Sequence, residues 1–141
     1  MRTVIRSARG DTITAVELET VLALRVAVFV VEQACPYQEV DGRDTEPGTW
    51  HAWITDGSET LSYLRVLTEP GGTRRIGRVC TSVAGRRRGG LSAQLMRAAL
   101  AEIGDHPSVL DAQTYVRAFY EGFGFVAQGA EFVEEGSRTS R

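Results

Sequence analysis

Lysine is absent from this chain, and all 16 of its basic residues are arginine. That absence excludes a Schiff-base lysine and the phosphate-loop lysine of nucleotide-binding proteins. Cysteine is scarce: Cys35 and Cys80 lie far apart, outside any metal or redox spacing, and are read as reduced, Cys80 in a core strand and Cys35 beside a site. No metal is expected. No apolar run reaches the length of a membrane span, and the N-terminal segment lacks the apolar centre of a signal peptide, so the expected location is the cytoplasm with no membrane partner. The net charge of −2 gives no overall attraction to nucleic acid or anionic lipid, and any anion site has to be local.

What is present suits one domain. The 141 residues are 43% hydrophobic and 24% charged, which is enough for a real core and too little chain for two ordinary domains. Thr3 to Ser7 alternates like a short strand. Thr14 and Glu17 form a capping-box pattern ahead of a helix whose apolar face, Leu18, Val21, Leu22, Val28 and Phe29, includes one polar member, Arg25. Arg25 is either a snorkelling rim residue or an ion-pair or substrate contact.

Val30 to Thr49 holds Pro36, Gly42, Pro47 and Gly48 and reads as a long loop. Its acids, Glu32, Glu39, Asp41, Asp44 and Glu46, suit a cationic substrate or form a solvated surface, and Tyr37 is apolar enough to pack beside a site. Three strand patterns follow, Trp50 to Thr55, Leu61 to Leu67 and Arg75 to Ser82, separated by turns that suit antiparallel hairpins. A helix then carries the stripe Leu91, Leu95, Met96, Ala99, Leu100 and Ile103. Ser108 to Ala112 is a short strand, Tyr115 to Gly122 a helix, and Phe125 to Val133 a last strand with a slack Gln128-Gly129. The order predicts an α/β (α+β) fold, a mixed and mostly antiparallel sheet flanked by helices. Its strand-turn-helix-strand unit is expected to be parallel, with a crevice where strands end and helices begin.

The chemistry concentrates between Arg75 and Leu100, where a strand runs through an arginine- and glycine-rich turn into a helix. Free N–H groups and the helix dipole make such a start an anion cradle. Gly89 and Gly90 permit close backbone approach, Ser92 is small, and Arg86, Arg87 and Arg88 can neutralise phosphate. The same residues also fit an exposed basic turn or a nucleic-acid contact.

Three motifs in order carry a resemblance. Arg87-x-x-Gly90-x-Ser92 resembles motif A of the GNAT superfamily of N-acetyltransferases. Phe119-Tyr120, three residues, then Gly124-Phe125 is similar to a later segment of that family. Leu24 to Asp44 followed by His51 resembles its ElaA-like branch. The resemblance implies a GNAT domain over residues 1–136 with a frayed tail at 137–141. It also implies acetyl transfer from acetyl-CoA to a primary amine, on a small molecule or a peptide N-terminus, by direct attack in a ternary complex. It further places Cys80, Thr81 and Ser82 beside the pantetheine arm, and Arg87, Arg88, Gly89, Gly90, Leu91, Ser92 and Ala93 around the pyrophosphate. Gln113 and Phe119 would lie along the cofactor, and Tyr120 would protonate the departing thiolate.

For the base, Glu32 is favoured over His51 and Asp111, on the expectation that the preceding apolar run buries it and raises its pKa. Arg25, Tyr37 and His51 are candidate substrate contacts. The C-terminal SRTSR does not resemble the family's final strand, and the absence of that strand would leave an open edge and allow a homodimer. Two other readings share the pattern: a catalytically idle acyl-CoA-binding or interaction module, and an acyl-homoserine-lactone synthase.

Overall fold

Thr14 opens the first helix as its sequence predicts, its hydroxyl accepting from the Glu17 amide while the Glu17 carboxylate accepts from the Thr14 amide. This reciprocal cap is visible in a computed structural model that describes residues 2–32, 38–111, 117–128 and 131–134. Helix α1 (Ala15–Arg25) follows strand β1 (Thr3–Arg9) and runs without a break into a π-helical segment, Val26–Glu32. Strands β2 (Trp50–Asp56), β3 (Glu59–Thr68) and β4 (Arg74–Thr81) form the expected meander. Then come α2 (Val83–Arg88), α3 (Leu91–Ile103), β5 (Ser108–Asp111), α4 (Arg117–Glu121), β6 (Val126–Gln128) and β7 (Glu131–Glu134).

One seven-stranded sheet has the order β1-β2-β3-β4-β5-β7-β6. Its β4–β5 pair is parallel and every other neighbouring pair is antiparallel, which is the expected mixed, mostly antiparallel sheet. The terminal segment departs from expectation. Instead of one strand over Phe125 to Val133 there are two, β6 and β7, which pair antiparallel, so the expected absence of the family's final strand is corrected. The slack Gln128-Gly129 in the sequence was the signal for two strands rather than one.

Side-chain alternation in the strands builds two cores. On one face Ala52, Ile54, Leu64, Val66 and Ile76 pack against the full predicted stripe of α3, with Tyr120 and Phe125 closing the cluster. On the other face Trp53, Tyr63 and Cys80 pack against Val21, Leu24, Val28 and Phe29. Among the described residues, no helix is long and apolar enough to cross a membrane.

Candidate active site

Strands β4 and β5 stay paired for three residues only, Arg74 to Ile76 against Ser108 to Leu110. Beyond Ile76, among the described residues, the rest of β4 has a strand neighbour on its β3 side alone. The cause lies in β4 itself. Tyr63 opposes Cys80 but Arg65 opposes Gly77, so β4 carries one more residue than β3 over this stretch. This is a β-bulge, which bends a strand and increases its twist. At the bulge sits Arg78 with φ 54°, the one non-glycine residue with positive φ among those described.

Past β4 the predicted turn contains a short helix. Ser82, expected beside pantetheine, caps α2 by accepting from the Gly85 amide. Gly89 and Gly90 then hold φ of 74° and 76° and lead into α3, which has no side-chain cap. A Cβ added at either glycine would meet nothing within 4 Å, so their role is the backbone turn rather than close packing. The first turn of α3 therefore presents free N–H groups to the cleft. A chain of hydroxyls ties the two sides together: Ser62 Oγ lies 2.9 Å from Thr81 Oγ1, which lies 2.8 Å from Ser92 Oγ.

The resulting cleft has a volume of about 710 Å³. It brings together Glu32, Cys80, Thr81, Gly89, Gly90, Leu91, Ser92, Ala93, Phe119 and Tyr120 of the sequence-selected residues. Val28, Val79, Gly85 and Arg86 complete its lining. Sequence reading missed Gly85, although a glycine inside a helix signals close approach: its Cβ would lie 2.7 Å from the Leu61 carbonyl oxygen. Arg87 is exposed, and Arg88 turns away to pair with Asp56. Gln113, Tyr37 and Cys35 lie outside the described residues. Volume, an uncapped helix start and an exposed arginine fit an extended ligand with a phosphorylated end.

The sequence pattern of the family described as "Acetyltransferase (GNAT) domain" matches residues 13–141. The chain belongs to this GNAT family. The UPF0039 protein Rv2851c of Mycobacterium tuberculosis is 45% identical to this GNAT domain over 96% of the chain and 89% of its own length. Protein ElaA of Escherichia coli is 36% identical over 85% of the chain and 82% of its own length. Among solved structures, an acyl-CoA N-acyltransferase from Pseudomonas aeruginosa superposes with a TM-score of 0.87 at 37% identity, covering 94% of this chain and 99% of that one. The crystal structure of E. coli ElaA superposes with a TM-score of 0.84 at 31% identity, covering 94% and 97%.

Three sequence-selected residues have other surroundings than expected. Arg25 is wholly buried, its Nε donating to Glu39 Oε2 (2.6 Å) and a terminal nitrogen to Asp44 Oδ1 (2.7 Å), so it is a structural ion pair and does not line the cleft. His51 is likewise buried, 2.6 Å from the Tyr63 hydroxyl through Nδ1 and 2.8 Å from the Asp44 carbonyl oxygen through Nε2. The carbonyl can only accept, so Nε2 carries the proton and the tyrosine hydroxyl donates to Nδ1. Burial lowers the pKa of His51 and keeps it neutral.

Glu32 lines the cleft but is exposed, and both its oxygens accept from Arg86, at 2.6 and 2.7 Å. Its pKa is lowered by those bonds, the reverse of the expected rise, because the buried part of the apolar run ends at Phe29: Val30, Val31 and Glu32 itself are exposed. Nor do the other loop acids form an open negative surface. Glu39, Asp41 and Asp44 are taken up by Arg25, Arg65 and Arg78, and Glu46 by Arg43.

Proposed function

We propose that this GNAT domain transfers the acetyl group of acetyl-CoA to a primary amine, on a small molecule or a peptide N-terminus, by direct attack in a ternary complex. The observation that carries the reading is the continuity of the cleft: the freed side of β4 leads to Gly89-Gly90 and the uncapped start of α3, with Tyr120 on the wall. The name of the Pseudomonas relative, an acyl-CoA N-acyltransferase, points the same way.

The thioester supplies an electrophilic carbonyl and a thiolate leaving group. Free backbone groups of Val79 to Thr81 would bind the amides of the pantetheine arm, as a neighbouring strand would. The N–H groups from Gly89 to Ala93 would hold the pyrophosphate, with Arg87 adding charge. Tyr120, buried to all but 6% and lining the cleft, would give its phenolic proton to the departing sulfur. Burial pushes the thiol pKa of Cys80 up to about 12, so it is protonated at neutral pH and a poor nucleophile; this favours direct attack over an acyl-cysteine route. Glu32, held as an ion pair, is a weak base, and the amine's proton is assigned to solvent at the cleft mouth.

Calorimetry with acetyl-CoA and thiol-release turnover over a panel of amines test the reading. Acetyl-CoA at about 100 times Kd should add about 2.7 kcal/mol to stability. No binding and no rise in melting temperature would defeat the proposal. Tyr120→Phe should lower kcat by about a hundredfold, within the usual range for a general acid, and leave affinity nearly unchanged. Cys80→Ala and Glu32→Gln should each keep turnover within about threefold, since a general base contributes about a hundredfold or more.

A further inference from the structure

The bulge that opens the cleft contains a strained residue, and that residue is gripped from outside the strand. Arg78, at φ 54°, is an arginine where the left-handed region favours glycine. Its Nε donates to Glu39 Oε2 (3.1 Å), and a terminal nitrogen donates to the carbonyl oxygens of Gln38 (3.2 Å) and Glu39 (3.0 Å) and lies 3.5 Å from Asp41 Oδ2. Glu39 is itself anchored by the buried Arg25, and Asp41 by Arg65. Strain of this kind persists when the surroundings over-determine it.

We infer that Arg78 is a positioning residue for acyl-CoA binding, a clamp whose guanidinium holds the segment 38–41 and thereby keeps β4 bulged and its far end open to the ligand. The clamp does not touch the cleft, since Arg78 is not among its lining residues, and acts through the backbone of Val79 and Cys80, which are. The inference rests on the acyl-CoA reading of the cleft. Its logic separates two properties of residue 78. Glycine lacks the side chain but adopts the left-handed conformation freely, whereas alanine lacks the grip and keeps the steric penalty.

Arg78→Ala should therefore relax out of the left-handed region and bind acetyl-CoA about tenfold more weakly, equivalent to about 1.4 kcal/mol. In turnover it should raise KM for acetyl-CoA and leave kcat at saturation nearly unchanged. Arg78→Gly should keep affinity within about twofold of the wild type. Backbone carbon shifts of residue 78 in the ligand-free proteins report the conformation directly. If Arg78→Ala is recovered unfolded, Arg78→Gln, which keeps the stem but loses the fork, gives the same comparison against glycine.

Equal losses for glycine and the strained variants, or an alanine or glutamine at position 78 that stays left-handed without the grip, would overturn the clamp. Wild-type protein that fails to bind acetyl-CoA would instead defeat the functional reading, while the carbon shifts still decide the clamp.

Discussion

Replacing Arg25 by methionine separates the cost of breaking a buried charge network from the cost of leaving a hole. Methionine fills much of the arginine volume, so the change is mainly electrostatic. In the wild type, Arg25 pairs with the buried carboxylates Glu39 and Asp44, which it shares with Arg78 and Arg65 respectively, and those two arginines also hold the more exposed Asp41. Without it, Glu39 keeps Arg78 and Asp44 keeps Arg65, but the cluster passes from neutral to one net negative charge. The Arg25 cation also leaves the Tyr63 ring, 5.5 Å away. Removing one partner of a buried pair costs about 3–5 kcal/mol, and the retained partners place this case near 3 kcal/mol.

At roughly 2–4 °C per kcal/mol for a domain of about this size, Tm should fall by about 10 °C. Urea unfolding at pH 7 measures the change as a shift in midpoint at constant m. Glu102→Gln is the control. It breaks the Arg9–Glu102 pair, whose side chains are 45% and 37% exposed, and should cost less than about 1 kcal/mol. If Arg25→Met costs no more than Glu102→Gln, the network is not the anchor of the loop and the reasoning is refuted.

Stability should fall with pH in two stages. His51 has a depressed pKa in the folded state, so below about 6.5 the unfolded chain takes up a proton that the folded one refuses; the loss begins there and grows as pH drops. Asp41 and Asp44 also have lowered pKa values. For Asp41 the bond from Arg65 is the main cause; for Asp44 burial opposes the shift and the bonds from Arg25 and Arg65 outweigh it. Their contribution holds above about 3.9 and is lost below it. A urea midpoint that stays flat from pH 7 to pH 5 would contradict the first stage. Gly85→Ala pits about 1 kcal/mol of helix propensity against a Cβ only 2.7 Å from both the Leu61 carbonyl oxygen and Thr81 Cγ2. The clash should win, with a net loss of about 1–3 kcal/mol in the same unfolding assay. Thr14→Ala removes one half of the capping box and should cost about 1 kcal/mol.

Local rules made most of the scaffold legible. The capping box at Thr14, the alternation of β2 to β4 and the stripe of α3 are short-range signals, and all three give the elements they predict. The parallel β4–α3–β5 unit followed from their order. Helix α2 was missed because an arginine run beside two glycines reads as a turn, although Ser82 was an available cap. The π-helical segment Val26–Glu32 is rich in β-branched residues and carries no signal for its register. In the site, the glycine turn and the Phe119-Tyr120 segment were legible as motifs. The environment of Glu32 was not, since its partner Arg86 lies far along the chain.

The loop acids show why such partners matter to function. As a sequence, Glu39, Asp41 and Asp44 look like a field for a cationic substrate. In the fold each meets a guanidinium, and each guanidinium serves several acceptors: Arg25 binds two side chains and a carbonyl, and Arg65 binds both oxygens of Asp41 as well as Asp44. An ammonium, whose donors radiate from a single point, could not span acceptors placed this way. The absence of lysine is thus consistent with a loop fastened by arginine forks. The charge this leaves beside the cleft follows directly. Among the described lining residues the one carboxylate, Glu32, is already paired with Arg86, while Arg87 stands exposed near the glycine turn. The charge of the described part of the site therefore suits an anion, and under the function proposed above an acceptor amine would be recognised by fit beside Tyr120 rather than drawn in by the acidic loop.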